Sequence, residues 1–232
     1  MIANDPAASD TTAGEAPAPW SLTGRGYVVL LKPADAGSGV HDFTPEPLAE
    51  SPVSGPGLLM YVDYASSAVG PYRELLYMPG RFRFGGETRW SITRIVVSTE
   101  ASVRAGRRNW GIPKELASFS ATPLDDGGER IEVRQDGQLL ADLEFGRAGI
   151  RLPGGGALLP RALRAMLQVQ DGRCYRFAPT ARGPLAWTRL RRLVTNGDRF
   201  PELGPEQVLM ACAAPNFALG FPVASVSGTP GK

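Results

Sequence analysis

The sequence predicts an α+β fold, mainly antiparallel β. A curved, barrel-like or double-layered sheet with a few short helices is expected to enclose an internal pocket. Three observations support this. Glycine (28) and proline (21) together make about a fifth of the 232 residues, which suits many short strands joined by turns better than a helical bundle. Apolar residues mostly recur at a period of two along short β-branched and aromatic runs. There is no β-α-β alternation and no internal repeat, so neither a doubly wound parallel sheet nor a solenoid is expected. Sheets of this kind curl into a barrel or pack in two layers, and a chain of this length can bury a sizeable core. One domain is expected over residues 20–232. Residues 1–19 are rich in Ala, Pro, Asp and Thr, with no Lys, no Arg and no apolar run. They read as a flexible tail, not a secretion signal.

The elements follow in order. Residues 27–32 form a β-branched and aromatic strand stopped by Pro33, and a Gly-, Ser- and Pro-rich loop extends to Gly57. In the strand over 58–64, Leu59, Tyr61 and Asp63 share one face; Leu58, Met60, Val62 and Tyr64 share the other. A turn over 65–71 leads to a strand over 72–78, ended by Pro79-Gly80. A longer strand is expected over 90–98. Ser98 or Thr99 then caps a helix that has Glu100 in its first turn, runs to about Arg107 and cannot pass Gly111. Residues 115–122 are strand-like, and Asp126-Gly127-Gly128 turns the chain back. Ile131 and Val133 alternate with Arg130, Glu132 and Arg134, and Asp136-Gly137 marks a hairpin. Leu139, Ala141, Leu143 and Phe145 continue the inner face. Gly154-Gly155-Gly156 is a loop, and residues 160–168 read as a helix. Strands follow over 174–178 and 185–194. The charge-free stretch 208–229, broken by Pro215, Asn216, Gly220 and Pro222, reads as two buried strands and a turn, since a membrane helix needs about 20 unbroken apolar residues.

Composition excludes several functions. Net charge is +2, so no nucleic-acid or membrane partner is expected. The arginines after residue 160 read as a solvated strand face or a subunit contact. Cys174 and Cys212 form neither a disulfide framework nor a metal site, and the only histidine is His41, so no metal is expected. No Gly-x-Ser-x-Gly turn supplies a serine nucleophile. No Gly-Lys-Ser/Thr triplet makes a phosphate loop, and the Gly154–Gly156 run lacks dinucleotide spacing. No cofactor is expected, and the protein is expected in the cytoplasm.

The cations point to chemistry. Of 25 Lys and Arg only Lys32, Lys114 and Lys232 are lysine. Arginine stays protonated, whereas a buried lysine can lose its proton and attack a carbonyl. Lys114 follows Trp110-Gly111-Ile112-Pro113 and is the candidate covalent catalyst.

Three pieces of the chain, in order, resemble the acetoacetate decarboxylase family. Residues 106–117 read Gly-Arg-Arg-Asn-Trp-Gly-Ile-Pro-Lys-Glu-Leu-Ala. They are similar to the family's active-site segment, where a Gly-Arg pair ends a helix. A short link there leads through an aromatic or Gly position and Pro to the Schiff-base lysine. Gly70-Pro71-Tyr72-Arg73-Glu74 resembles the strand with the family's pocket glutamate. Arg25-Gly26-Tyr27-Val28 resembles an early Arg-x-Tyr strand whose arginine points to the pocket. The resemblance covers residues 22–145. It implies a homo-oligomer with a closed apolar pocket, and Schiff-base decarboxylation of a small β-keto acid. Lys114 would be the nucleophile. Glu74 would handle protons or position a water, and Arg25 would orient the carboxylate or support Glu74. Trp110, Asp63 and Tyr72 are candidate pocket residues. Two rival functions remain: a Schiff-base aldolase or dehydratase acting on larger keto acids, and a barrel that binds a small ligand without catalysis.

Two departures matter. A second lysine follows the catalytic one in the best-studied branch, and here that position is Glu115. Acetoacetate decarboxylase is itself the standard case of a lysine activated by desolvation or a neighbouring cation. With an ordinary pKa near 10.4, only about 0.04% of a lysine is neutral at pH 7. Without a cationic neighbour, burial would have to lower it. Strand alternation would turn Glu115 away from the pocket. The second departure is Leu59, which stands where the family's decarboxylases have another glutamate; Asp63 shares its face.

Overall fold

The computed structural model describes residues 16–34, 42–152 and 164–228. In chain order the strands are β1 (Trp20–Leu31), β2 (Val53–Ser54), β3 (Gly57–Ser66), β4 (Tyr72–Met78), β5 (Arg81–Phe84), β6 (Glu87–Trp90) and β7 (Arg94–Val97). The helix α1 (Glu100–Trp110) follows, then β8 (Lys114–Leu116), β9 (Ser118–Pro123), β10 (Glu129–Gln135) and β11 (Gln138–Phe145). The chain ends with β12 (Met166–Gln170), β13 (Arg173–Phe177), β14 (Thr180–Arg182), β15 (Ala186–Thr188), β16 (Leu190–Thr195), β17 (Val208–Phe221) and β18 (Ser225–Gly228). The fold is α+β and mostly β, as expected. It is not a closed barrel: three open sheets run β14-β17-β1-β3-β4-β7-β8 (with β15 beside β17), β16-β11-β10-β9, and β18-β13-β12-β6-β5-β2. Pairing is antiparallel except between β7 and β8 and between β6 and β12.

The large sheet has two apolar faces. Leu59, Tyr61, Leu75 and Val96 pack against Ile131, Val133, Leu143 and Phe145 of the second sheet. On the opposite face Val62, Tyr64, Leu76 and Ile95 meet Val103 and Trp110 of α1, with Met166 and Phe177 of the third sheet. The period-two alternation along β3 and β4 separates these two groups.

Several boundaries differ from expectation for identifiable reasons. β1 begins at Trp20, seven residues before the expected start, because Gly24 and Gly26 belong to the strand. A Cβ on either glycine would come within 2.3 Å of a β3 carbonyl oxygen, that of Asp63 or Tyr61. The expected strand over 90–98 is two strands in different sheets. Trp90 pairs with Arg81 and Met166, whereas Arg94 pairs with Tyr77. The chain crosses between sheets at residues 91–93, and its alternation shifts phase there, so that Ile92 and Ile95, three apart, join the same cluster. On β11, Leu140 and not Leu139 is fully buried, because the register with β10 slips between Val133 and Arg134. Residues 166–168 are strand, not helix; residues 160–163 of that expected helix, with Leu163, lie outside the described residues, as do His41 and the Gly154–Gly156 run. Pro215 and Asn216 do not break β17. They sit where its register with β1 slips, between the pairs Gly24–Phe217 and Gly26–Ala214, a place that needs no proline N–H. The following β18 is exposed and joins the third sheet.

Thr99 caps α1, its hydroxyl accepting from the Ser102 N–H, and Gly111 ends it in a left-handed conformation (φ 61°). α1 is the one α-helix bounded within the described residues, where a few were expected. No helix of those residues is long and apolar enough to cross a membrane. Arg176, Arg191 and Arg192 pair with Glu87, Asp126 and Asp142 respectively. Both cysteines are buried and unbridged.

Candidate active site

Lys114 is placed by what precedes it. Gly111 closes the helix, its N–H donating to the Arg107 carbonyl at 2.9 Å. Pro113 extends the chain, and the Arg107 Nε donates to the Lys114 carbonyl at 2.8 Å. β8 then runs parallel to β7 with Lys114 opposite Ile95. The side chain passes Gly106 of α1, where a Cβ would stand 2.6 Å from the Lys114 Cδ. Helix and lysine can approach this closely only because residue 106 is glycine.

Lys114 is 4% exposed and lines a cavity of about 490 Å³ between the large sheet, α1 and the third sheet. Its Nζ donates to Glu74 Oε2 at 2.8 Å, to Ser102 Oγ at 3.0 Å and to the Tyr72 hydroxyl at 3.4 Å. It also lies 4.9 Å from the centre of the Tyr72 ring. Glu74 accepts a further bond from the Tyr64 hydroxyl at 3.2 Å. Three side chains from β3, β4 and α1 thus converge on one buried ion pair.

The electrostatics correct one expectation. Burial alone pushes the Lys114 amine down, as anticipated, but the Glu74 carboxylate and the Tyr72 hydroxyl outweigh burial and hold it above its ordinary range. Lys114 and Glu74 thus form a buried, hydrogen-bonded pair in which the amine is held more basic, not less, than an ordinary lysine. Burial, then Glu74, also pushes the Tyr64 hydroxyl well up; burial raises Tyr72 despite the opposing Lys114 charge.

Glu115 points to the other face. It meets Arg94 Nη1 at 2.8 Å and accepts from Gln135 Nε2 at 2.7 Å. Burial raises its carboxyl, yet these two partners together bring it below the ordinary value. It therefore does not compete with Glu74 for the Lys114 amine.

Trp110 also lines the cavity, its indole N–H donating to the Pro222 carbonyl at 2.7 Å and its ring set edge-on to Trp20. Arg25 and Asp63 do not line it. They are directly paired on β1 and β3, on the face toward the second sheet. Arg25 grips Glu129 of β10 through two bonds of 2.7 and 2.8 Å and meets Asp63 at 3.2 Å. Their alternation phase is that of Leu59 and Tyr61, which explains the placement. Tyr64 and Ser102 were not singled out in the sequence. Tyr64 reads as one more core aromatic. Ser102 reads as a helix-start residue; its signal is a lone hydroxyl on the buried stripe formed with Val103, Ala105 and Gly106. Among the described residues, no cluster of His, Cys, Asp and Glu could hold a metal ion.

A single amine buried in an apolar cavity and paired with one carboxylate defines a candidate lysine-dependent enzyme site. The acetoacetate decarboxylase (ADC) family model matches residues 20–163, more than half of the chain, and the protein belongs to that family. No curated protein sequence matches it. Among solved structures, an acetoacetate decarboxylase superposes with a TM-score of 0.69 at 15% identity, covering 96% of this chain and 94% of that one. The enduracididine biosynthesis enzyme MppR complexed with pyruvate gives 0.63 at 16% identity, covering 94% and 93%. An acetoacetate decarboxylase-like enzyme from Sphingomonas wittichii RW1 gives 0.61 at 13%, covering 97% and 99%. At these identities the likeness establishes the fold.

Proposed function

We propose that the protein is a Schiff-base-forming lyase that decarboxylates a β-keto acid through Lys114. One observation supports this above all: the Lys114 amine is buried at the cavity wall, 2.8 Å from a carboxylate that can take its proton. Transfer of that proton to Glu74 leaves a neutral amine beside a neutral acid, so no net charge is created in the apolar site.

The steps balance around this pair. The amine lone pair attacks the ketone carbon, and the Glu74 acid protonates the carbonyl oxygen. Glu74 then removes a proton from nitrogen and returns it to the hydroxyl, which leaves as water. The products are an iminium and a Glu74 carboxylate. The bond to the substrate carboxylate breaks, its electron pair neutralises the iminium nitrogen through an enamine, and carbon dioxide departs. A proton drawn from water adds at carbon. Hydrolysis releases the ketone and restores the Lys114–Glu74 pair. Tyr72 and Ser102 hold the amine in place, and Tyr64 orients Glu74. Arg25 has no part in this scheme.

A second reading, carbon–carbon condensation at the same lysine, draws on the relative MppR, which has been solved with the condensation product of pyruvate and imidazole 4-carboxaldehyde. One experiment addresses both readings. The protein is incubated with a β-keto acid and borohydride and weighed. A reduced adduct on Lys114, absent in Lys114→Arg, is expected; an unmodified mass with every keto acid tried refutes Schiff-base chemistry. Carbon dioxide release then selects decarboxylation over condensation.

A further inference from the structure

We infer that the substrate is a 3-oxo acid with a long apolar tail, its carbonyl at Lys114 and its tail directed toward Arg182. This rests on the Schiff-base reading and names the substrate class for the same lysine.

Lys114 and Arg182 lie on β8 and β14, the two ends of the path through the large sheet. Six interstrand steps of about 4.8 Å separate them, roughly 29 Å measured along the sheet. Both nevertheless line the same cavity, so the sheet curves around it. Lys114 is buried and Arg182 is exposed, which makes one end closed and the other a mouth.

Among the described lining residues, charge is confined to those ends. Glu74 and Lys114 stand together at the closed end; the other charged lining residues among those described are Arg164 and Arg182. The Arg164 guanidinium donates to the carbonyls of Ala178 and Pro179, both at 2.7 Å, next to β14. The wall between is formed by side chains such as Leu22, Met60, Leu76, Ile92, Met166 and Leu219. A hydroxylated or charged tail would lose its water there against mostly apolar side chains. A hydrocarbon tail gains about 0.8 kcal/mol per methylene, about fourfold in affinity. Met60 and Met166 are unbranched and adapt to a chain of variable shape. An acetoacetate-sized acid would engage only the polar end and leave most of the 490 Å³ unfilled.

The test is a chain-length series, from acetoacetate through 3-oxohexanoate and 3-oxooctanoate to 3-oxodecanoate. Carbon dioxide release is followed, with borohydride trapping in parallel. The expected result is a kcat/KM that rises about fourfold per methylene until the tail reaches the rim. Leu219→Trp, which narrows the tail's route on β17, should shift the preference to shorter chains. A flat or falling series with the Lys114 adduct intact overturns the inference, as does an unchanged preference in Leu219→Trp. Tryptophan fluorescence of the Lys114→Met/Glu74→Gln variant with straight-chain methyl ketones separates ligand class from chemistry. A rise in affinity with length there, with no adduct in the native protein, refutes the Schiff base and supports the apolar-tailed ligand. No rise in either measurement overturns the ligand class.

Discussion

Lys114 and Glu74 neutralise each other in surroundings that would penalise either charge alone. Removing one partner of a buried pair leaves the other uncompensated, at a cost of about 3–5 kcal/mol, while replacing both is often close to neutral. Lys114→Met should therefore lower stability by about that amount, and adding Glu74→Gln should restore most of it. Urea unfolding at neutral pH measures both. Equal losses in the single and double variants would mean that the pair contributes through packing and not through charge. The pH dependence has a defined sign. The folded state holds the Lys114 ammonium above its ordinary range, so its stabilisation is fully present below about pH 10, where the unfolded lysine is still protonated. It is lost as pH rises through the raised folded value. The gap between native protein and Lys114→Met should narrow in the alkaline range.

At the scale of elements, α1 and β8 act as one device. Thr99 and Gly111 fix the two ends of the helix, Pro113 extends the chain, and Gly106 leaves room for the lysine stem. Alanine is a better helix former than glycine by about 1 kcal/mol, so Gly106→Ala should cost little as a helix substitution. Its methyl group would nevertheless overlap the Lys114 Cδ and Cε and push the amine off Glu74 and Ser102. The expected outcome is a folded protein with unchanged circular dichroism and a borohydride adduct reduced at least tenfold. Full trapping in this variant would show that the lysine stem has room to move. Most of this device was legible in the sequence, because caps, glycines and prolines act locally: the helix start, its stop at Gly111 and the turn to Lys114 follow from residue types. The partners that β3, β4 and the second sheet supply were less so. Glu74 and Tyr72 were found through a family pattern, whereas Arg25 and Asp63 were expected in the pocket and face the second sheet. A strand's alternation tells which residues share a face but not which face meets the cavity. That phase is set by the sheet packed against it, which local sequence does not record.

For the whole molecule, the decisive feature is that the large sheet has a packed side and a hollow side. The sequence showed two largely apolar faces on the strand over 58–64, but nothing in it distinguished dense core from cavity wall, since both call for the same residues. Leu75 and Leu76 on β4 test the difference one residue apart. Leu75 is fully buried among Leu59, Val96 and the second sheet, where its truncation opens a new void. Leu76 lines the existing cavity, where truncation enlarges a space that already lacks packing partners. Buried Leu→Ala changes cost about 2–5 kcal/mol, the amount rising with the void left behind. Leu75→Ala should fall at the upper end of that range and Leu76→Ala at or below the lower end, measured by urea unfolding of the ligand-free protein. Leu76→Ala should in turn alter which keto acids are trapped on Lys114, whereas Leu75→Ala should leave that selectivity unchanged. Equal stability losses would mean that the cavity collapses in solution, and the site would then need its ligand to hold it open.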